Sequence, residues 1–151
     1  MESESKDILE VLRAHELFLA VDAAGVRADF GNAIHTWVVR NGANLGQALM
    51  ISLDCKRANF SETDLSGAVL ASGNYDPADF SMANLTHANL KGAILNQSSF
   101  RFAKFVDATL YGASMPACDF RGAGLTDMDL QESRLCTIEV SDAKTEKKWR
   151  D

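Results

Sequence analysis

The chain of 151 residues has little of what most enzymes and secreted domains show, beginning with only two prolines, three cysteines and three histidines. No apolar run comes near eighteen residues, so no stretch reads as a membrane-spanning helix. Met1 to Asp7 is polar and acidic, unlike a secretory leader. Three cysteines without a close pair argue against a disulfide framework and for free thiols in a reducing cytosol. His15, His35 and His87 share no zinc-site spacing with Cys55, Cys118 or Cys136. A phosphate loop, a nucleophile elbow and a dinucleotide fingerprint are all missing. The formal net charge is −6, and no basic aromatic surface offsets it, which speaks against direct nucleic-acid binding. The sequence therefore calls for no metal, no cofactor and no catalytic residue.

What the chain does have is a period. From Ala43 to Thr137, every fifth residue counted from Leu45 is apolar or cysteine: Leu45, Met50, Cys55, Phe60 and onward without a slip to Leu135. Two residues before each of these nineteen centres stands a mostly small residue, with Leu53 and Met128 as bulky exceptions. A period of five fits neither a helix nor a strand. It describes a chain that turns a corner every five residues and buries its apolar side by stacking on its neighbours. Four corners close a square, so one coil takes twenty residues. Phe60, Phe80, Phe100 and Phe120 are spaced by twenty and form the expected core ladder along one inner wall.

The units Ala58-Asn59-Phe60, Ala78-Asp79-Phe80, Ala83-Asn84-Leu85 and Ala88-Asn89-Leu90 carry a resemblance. The pattern resembles the pentapeptide-repeat family, whose unit is Ala-(Asp/Asn)-Leu-x-x with Phe allowed at the centre. That resemblance implies an all-β solenoid, a right-handed quadrilateral β-helix of about five coils. With strand-like spacing between coils the rod is roughly 23 Å long.

Three segments are expected. Residues 1–42 form an N-terminal capping helix and an irregular lead-in. Residues 43–137 form the repeat β-helix, and 138–151 a polar C-terminal tail. Residues 1–6 are expected to be disordered. A helix starts at Asp7, where Asp7 and Glu10 make a capping box, and stops at Gly25. Ile8, Val11, Leu12, Phe18 and Leu19 share its apolar face. Ala28-Asp29-Phe30 is a repeat unit in register with Leu45, after which His35 and Arg40 at centre positions break the pattern. Pro77 and Pro116 lie on the face centred on Cys55, Tyr75, Leu95, Met115 and Leu135, which is expected to be the least regular.

Asp54, Asp64, Asp79, Asp119 and Asp129 all sit beside centres, where a short side chain can bond backbone at the corner. The repeat accounts for them without catalysis, so function is expected outside. Leu49 and Ile51, Val69 and Ala71, and Tyr111 line one outer face. Phe102 and Val106 make a second apolar patch, and Trp149 in the tail either packs on the rod or anchors a partner. These residues are the candidate interaction surface, the alternative for the first strip being an internal contact in which the helix 8–24 or the Trp37 segment folds over it.

The reading is a non-enzymatic, cytoplasmic protein-protein interaction module, its partner an unidentified protein or a second copy of the chain as a homodimer, with no membrane involved. Resemblance to the family implies two alternatives. One is a DNA-mimicking modulator of a type II topoisomerase (gyrase, with quinolone protection). The other is a bacterial effector or effector accessory protein. Mimicry needs about one negative charge per 1.7 Å. Residues 43–137 carry ten acidic and seven basic residues, a poor match.

Overall fold

The structure, a computed structural model, describes residues 2–20, 27–30, 42–135, 140, 141 and 143. Every β-bridge among them is parallel and joins residues twenty apart, as in Asn44↔Asp64, Leu49↔Val69, Asp54↔Asn74 and Asn59↔Asp79. Four such columns close a four-sided coil. Each side is too short to be a strand in its own right, and each residue column is pinned to the coils before and after it.

Hydrogen bonding explains why the unit is five residues long. Buried backbone groups need partners, and in the regular unit every N–H has one. At Leu65 the centre N–H donates to Asn84 O at 2.8 Å in the next coil. The residue before it, Asp64, donates to Ala43 O at 3.0 Å in the preceding coil. The small residue Ala68 closes the corner by donating to Leu65 O at 3.0 Å. Gly67, second in the corner, donates to Thr86 O at 2.9 Å. The first corner residue, Ser66, donates to the Asp64 carboxylate at 2.9 Å. The acidic residue beside the centre thus completes its own corner, as Asn59, Asp79, Asn89, Asp119 and Asp129 also do.

The second corner residue sits at φ near +60° at almost every corner, the pattern of a type II turn. Only some of these positions are glycine; Gln47, Met82, His87 and Phe102 are among those that are not.

Inside, the centres stack. The rings of Phe60, Phe80, Phe100 and Phe120 lie 4.9 to 5.0 Å apart in sequence and within 12° of parallel. That spacing is the inter-coil rise expected of β-bridged chains. Tyr75 enters the same core edge-on to Phe60 and Phe80, and its hydroxyl donates to Met50 O at 3.2 Å. Gly73 makes this possible, because a Cβ there would lie 2.4 Å from the Tyr75 ring. Burial pushes the Cys55 and Cys118 thiols up to about 12, so both are inert core groups at neutral pH.

Among the described residues the face bearing Pro77 departs from the regular corner most at Pro77, and at Pro116 Cys118 N–H likewise does not donate to Met115 O. Its bridges run unbroken through Asp54, Asn74, Ile94, Ser114 and Arg134. At the corner, Arg57 N–H reaches Pro77 O rather than the oxygen one residue earlier. Ala78 N–H does not close the turn; it donates to Ser98 Oγ at 3.0 Å, and Ser98 Oγ donates to Tyr75 O at 3.3 Å. One buried serine in the next coil therefore bridges both ends of the open corner.

The N-terminal helix, α1, spans Glu2–Leu19. It begins before Asp7, so residues 2–6 are helical rather than disordered, and Asp7 lies inside the helix instead of capping it. No Gly or Pro interrupts the segment, which favours a continuous helix. The helix ends well before Gly25, which lies outside the described residues, as do His35, Arg40, Cys136 and Trp149. Val11 and Leu12 pack against the core, and His15 is fully buried. At the other end the coil register persists past Thr137: Gly122 N–H donates to Ser141 O at 3.1 Å, the usual offset of nineteen, and Ala143 packs on the core.

Candidate interaction surface

At three units, outward apolar side chains coincide with a departure from the regular corner, although Met82 is exposed on a unit that keeps its Asp79 bond. At Leu49–Met50–Ile51, Val69–Leu70–Ala71 and Lys104–Phe105–Val106 the residue before the centre has no acceptor for the corner. The N–H groups of Ile51, Ala71 and Val106 accordingly find no acceptor among the described residues. These units forgo a local hydrogen bond and expose hydrocarbon in the same place.

Leu49, Val69 and Ala71 are half-buried and Ile51 is exposed, all within two adjacent coils of one face. Tyr111 is on the same face but is not continuous with them. Asn89 and Lys91 occupy the coil between, and the Lys91 ammonium lies 5.2 Å from the centre of the Tyr111 ring. The apolar strip is therefore two coils long, followed by a cation–aromatic pair.

Phe102 and Val106 stand on successive corners of one coil, and both are exposed. Sequence reasoning missed the residue that completes their patch. Met82 lies twenty residues before Phe102, in the same corner column, and is 58% exposed against 52% for Phe102. Reading corner residues at intervals of twenty would have found it. The column runs Gly42, Glu62, Met82, Phe102, Gly122. Ile94, also exposed, was missed on a different face.

The charged groups near this patch are mostly paired. Asp119 accepts from Arg121 at 2.6 Å and from Arg101 at 3.3 Å. Its hydrogen bonds from Arg121 hold its carboxyl down to about 2. His87 and Asp107 approach to 3.6 Å at the neighbouring corner. Among the described residues no cluster of His, Cys, Asp and Glu could hold a metal ion, and no helix is long and apolar enough to cross a membrane.

A model of pentapeptide repeats, in eight copies, matches residues 41–71 and 78–115. No curated protein matches the sequence. Among solved structures the chain is similar to Rfr23, a pentapeptide repeat protein from the cyanobacterium Cyanothece 51142, at 32% identity and a TM-score of 0.61. That likeness covers 62% of this chain and 64% of Rfr23, so the chain spans less than two thirds of that relative. A pentapeptide repeat protein of the Arabidopsis thaliana thylakoid lumen is similar at 26% identity and TM-score 0.53, over 62% of this chain and 66% of the other. QnrB1, a plasmid-mediated fluoroquinolone resistance protein, shares the fold at 18% identity and TM-score 0.67, over 74% and 60% of the two chains.

Proposed function

Because the chain belongs to the pentapeptide-repeat family, whose members fold as right-handed quadrilateral β-helices, we propose that it is a non-enzymatic interaction module presenting the faces of a rigid rod to a protein partner. The observation that carries this reading is the outward apolar residues at units that have given up their corner hydrogen bond, Ile51, Ala71 and Val106. A filled interior gains nothing from them, whereas a contact surface does. In this reading residues 1–42 close the N-terminal end of the rod, with α1 as the cap. Val11, Leu12 and buried His15 against the first coil support that role, since an open coil end leaves apolar core and backbone groups uncovered. Residues 43–137 are the binding rod, and 138–151 the tail.

The experiment is a comparative co-purification from native lysate with the wild type, Val69→Glu and Phe102→Asn. A protein captured by the wild type and lost with one variant of unchanged melting temperature supports the module. Identical captures from all three contradict it. Sedimentation of wild type and Val69→Glu decides whether the Leu49–Ala71 strip joins two copies as a homodimer.

The alternative of a DNA mimic acting on gyrase draws on the fold shared with QnrB1. Lys56, Arg57, Lys91, Arg101, Lys104 and Arg121 interrupt the acidic surface that mimicry needs. No effect on gyrase supercoiling is expected; inhibition at micromolar protein would favour the mimic. A role as an effector or effector accessory would use the same faces.

A further inference from the structure

We propose that the face running from the Met82 and Phe102 corners to the His87 and Asp107 corners joins two copies of this chain side by side, their rods antiparallel about a two-fold axis. The proposal rests on the interaction-module reading and gives it one face and one occupant, a second copy.

The apolar groups of this face lie midway along the rod. Met82 and Phe102 are large and exposed, and Val106 is exposed across the face from them. Met82 and Phe102 stand at φ +60° and +58°, where large side chains are uncommon. The Phe102 ring lies over Gly122, where a Cβ would be 2.4 Å from it. The ring is thus laid along the outside of the rod. A two-fold axis at right angles to the rod, crossing the face between the Met82 and Phe102 coils, sets the coils of the two copies together in reverse order. Each Met82 then meets Phe102 of the other copy, a thioether on an aromatic ring. Each Val106 meets Thr86.

The charges on the face nearly cancel, so their order and not their sum selects the occupant. Residues 61–67, 81–87, 101–107 and 121–127 carry four acidic and three basic side chains. In the reversed order Glu62 and Asp64 face Gly122 and Gly124 of the other copy, and Asp127 faces Gly67. Lys104 faces Asn84, and Asp107 faces His87. Arg121 and Arg101, both held by Asp119, face Ser61 and Ser81 and need not leave that carboxylate. Directly opposite, no charge meets its like. Asp64 and Lys104 share one bridge column with Asn84 between them, roughly 10 Å apart along the rod. Neither makes an ion pair among the described residues. The Ser66 N–H and the Asn84 amide both donate to Oδ1 of Asp64, so Oδ2 is the oxygen left to a further donor. A Cβ at Gly124 would meet nothing closer than 4.0 Å, so Lys104 has room to extend over Gly124 to Asp64 of the second copy. The axis makes that ion pair twice. Parallel rods would instead set Asp64 on Asp64, Lys104 on Lys104 and Phe102 on Asp107.

The test follows the full chain by sedimentation at rising concentration. A reversible dimer is expected at sub-millimolar protein, because the face is short for a dimer contact. Lys104→Glu and Asp64→Lys should each weaken it about tenfold. Mixing the two variants should restore it, because each supplies the charge that the other has lost. Phe102→Asn, which tolerates the left-handed backbone, should abolish the dimer at an unchanged melting temperature. It carries the test with Lys104→Glu if Asp64→Lys, which gives up the Ser66 bond, does not fold. In a mixture of chains labelled only at methionine methyls and chains labelled only at phenylalanine rings, Met82–Phe102 contacts arise only between copies, and they are expected. A monomer throughout the concentration range overturns the proposal, as does a dimer that Phe102→Asn and Lys104→Glu leave intact. A dimer without the Met82–Phe102 contact overturns the antiparallel arrangement. A dimer dissolved by Val69→Glu alone moves the contact to the Leu49–Ala71 strip and overturns this assignment. None of these results touches the interaction-module reading, which the lysate captures decide.

Discussion

At the scale of the residue, the centre position controls stability and its neighbours control what it can be. Phe80 is buried between two stacked rings, so Phe80→Ala should cost about 3–5 kcal/mol in urea unfolding; a loss of a few tenths would place that ring in solvent. Tyr75 shows the second half of the rule. It is wider than the leucines of other units and is accommodated because Gly73 leaves its ring the space of a Cβ. The centres and the Phe column were legible because a strict period of five leaves one way to bury every apolar residue. Tyr75 with Gly73, and Ser98 as a bridge, were not legible. Gly73 stands two residues before Tyr75 in the same unit, but almost every unit has a small residue there, so nothing marks the space it leaves for the ring; Ser98 acts on backbone atoms of the preceding coil, which no spacing within a unit reveals.

At the scale of the element, corners and the helix depend on single polar contacts. Ser98→Ala would strand the Ala78 N–H and the Tyr75 carbonyl inside the rod, at a cost of about 1–3 kcal/mol by denaturant melting. An unchanged midpoint would mean that another group closes the Pro77 corner. At the N-terminal end, Ala28 N–H donates to His15 Nδ1 at 3.2 Å, a bond only the neutral ring can accept. Desolvation by burial lowers the His15 pKa from 6.5, and nearby Arg27 lowers it further, against opposing contributions from Gly46 backbone and Glu16. The unfolded chain then binds more protons than the folded one just below pH 6.5. The stabilisation is complete above that pH and is lost as pH falls through the folded value. Hydrogen exchange should show α1 amides losing protection below pH 6.5 while the Phe80 and Phe100 amides keep theirs. His15→Gln, whose amide oxygen can accept the same bond, should remove that pH dependence; equal protection of α1 at both pH values would contradict the account. The sequence announced the helix but not its bounds or the use of His15, because the residues His15 meets come from the first coil.

At the scale of the whole molecule, side chains fill the interior of the described coils, so the proposed recognition falls to their outer faces. Their apolar content was partly legible. Leu49, Ile51, Val69 and Ala71 were found beside their centres, but Met82 was overlooked because corner residues carry no pattern within a single unit. The join between Ala71 and Tyr111 proved to be interrupted by Lys91, since a face is continuous only if every coil contributes. All of these surface assignments stand on coils of twenty residues stacked in register. The most direct measurement is proton–proton contact by NMR between selectively labelled phenylalanine rings. Contacts are expected for Phe60 with Phe80, Phe80 with Phe100 and Phe100 with Phe120, and none for Phe60 with Phe100. A direct Phe60–Phe100 contact, or rings free of one another in solvent, would contradict the square coil and the surfaces built on it.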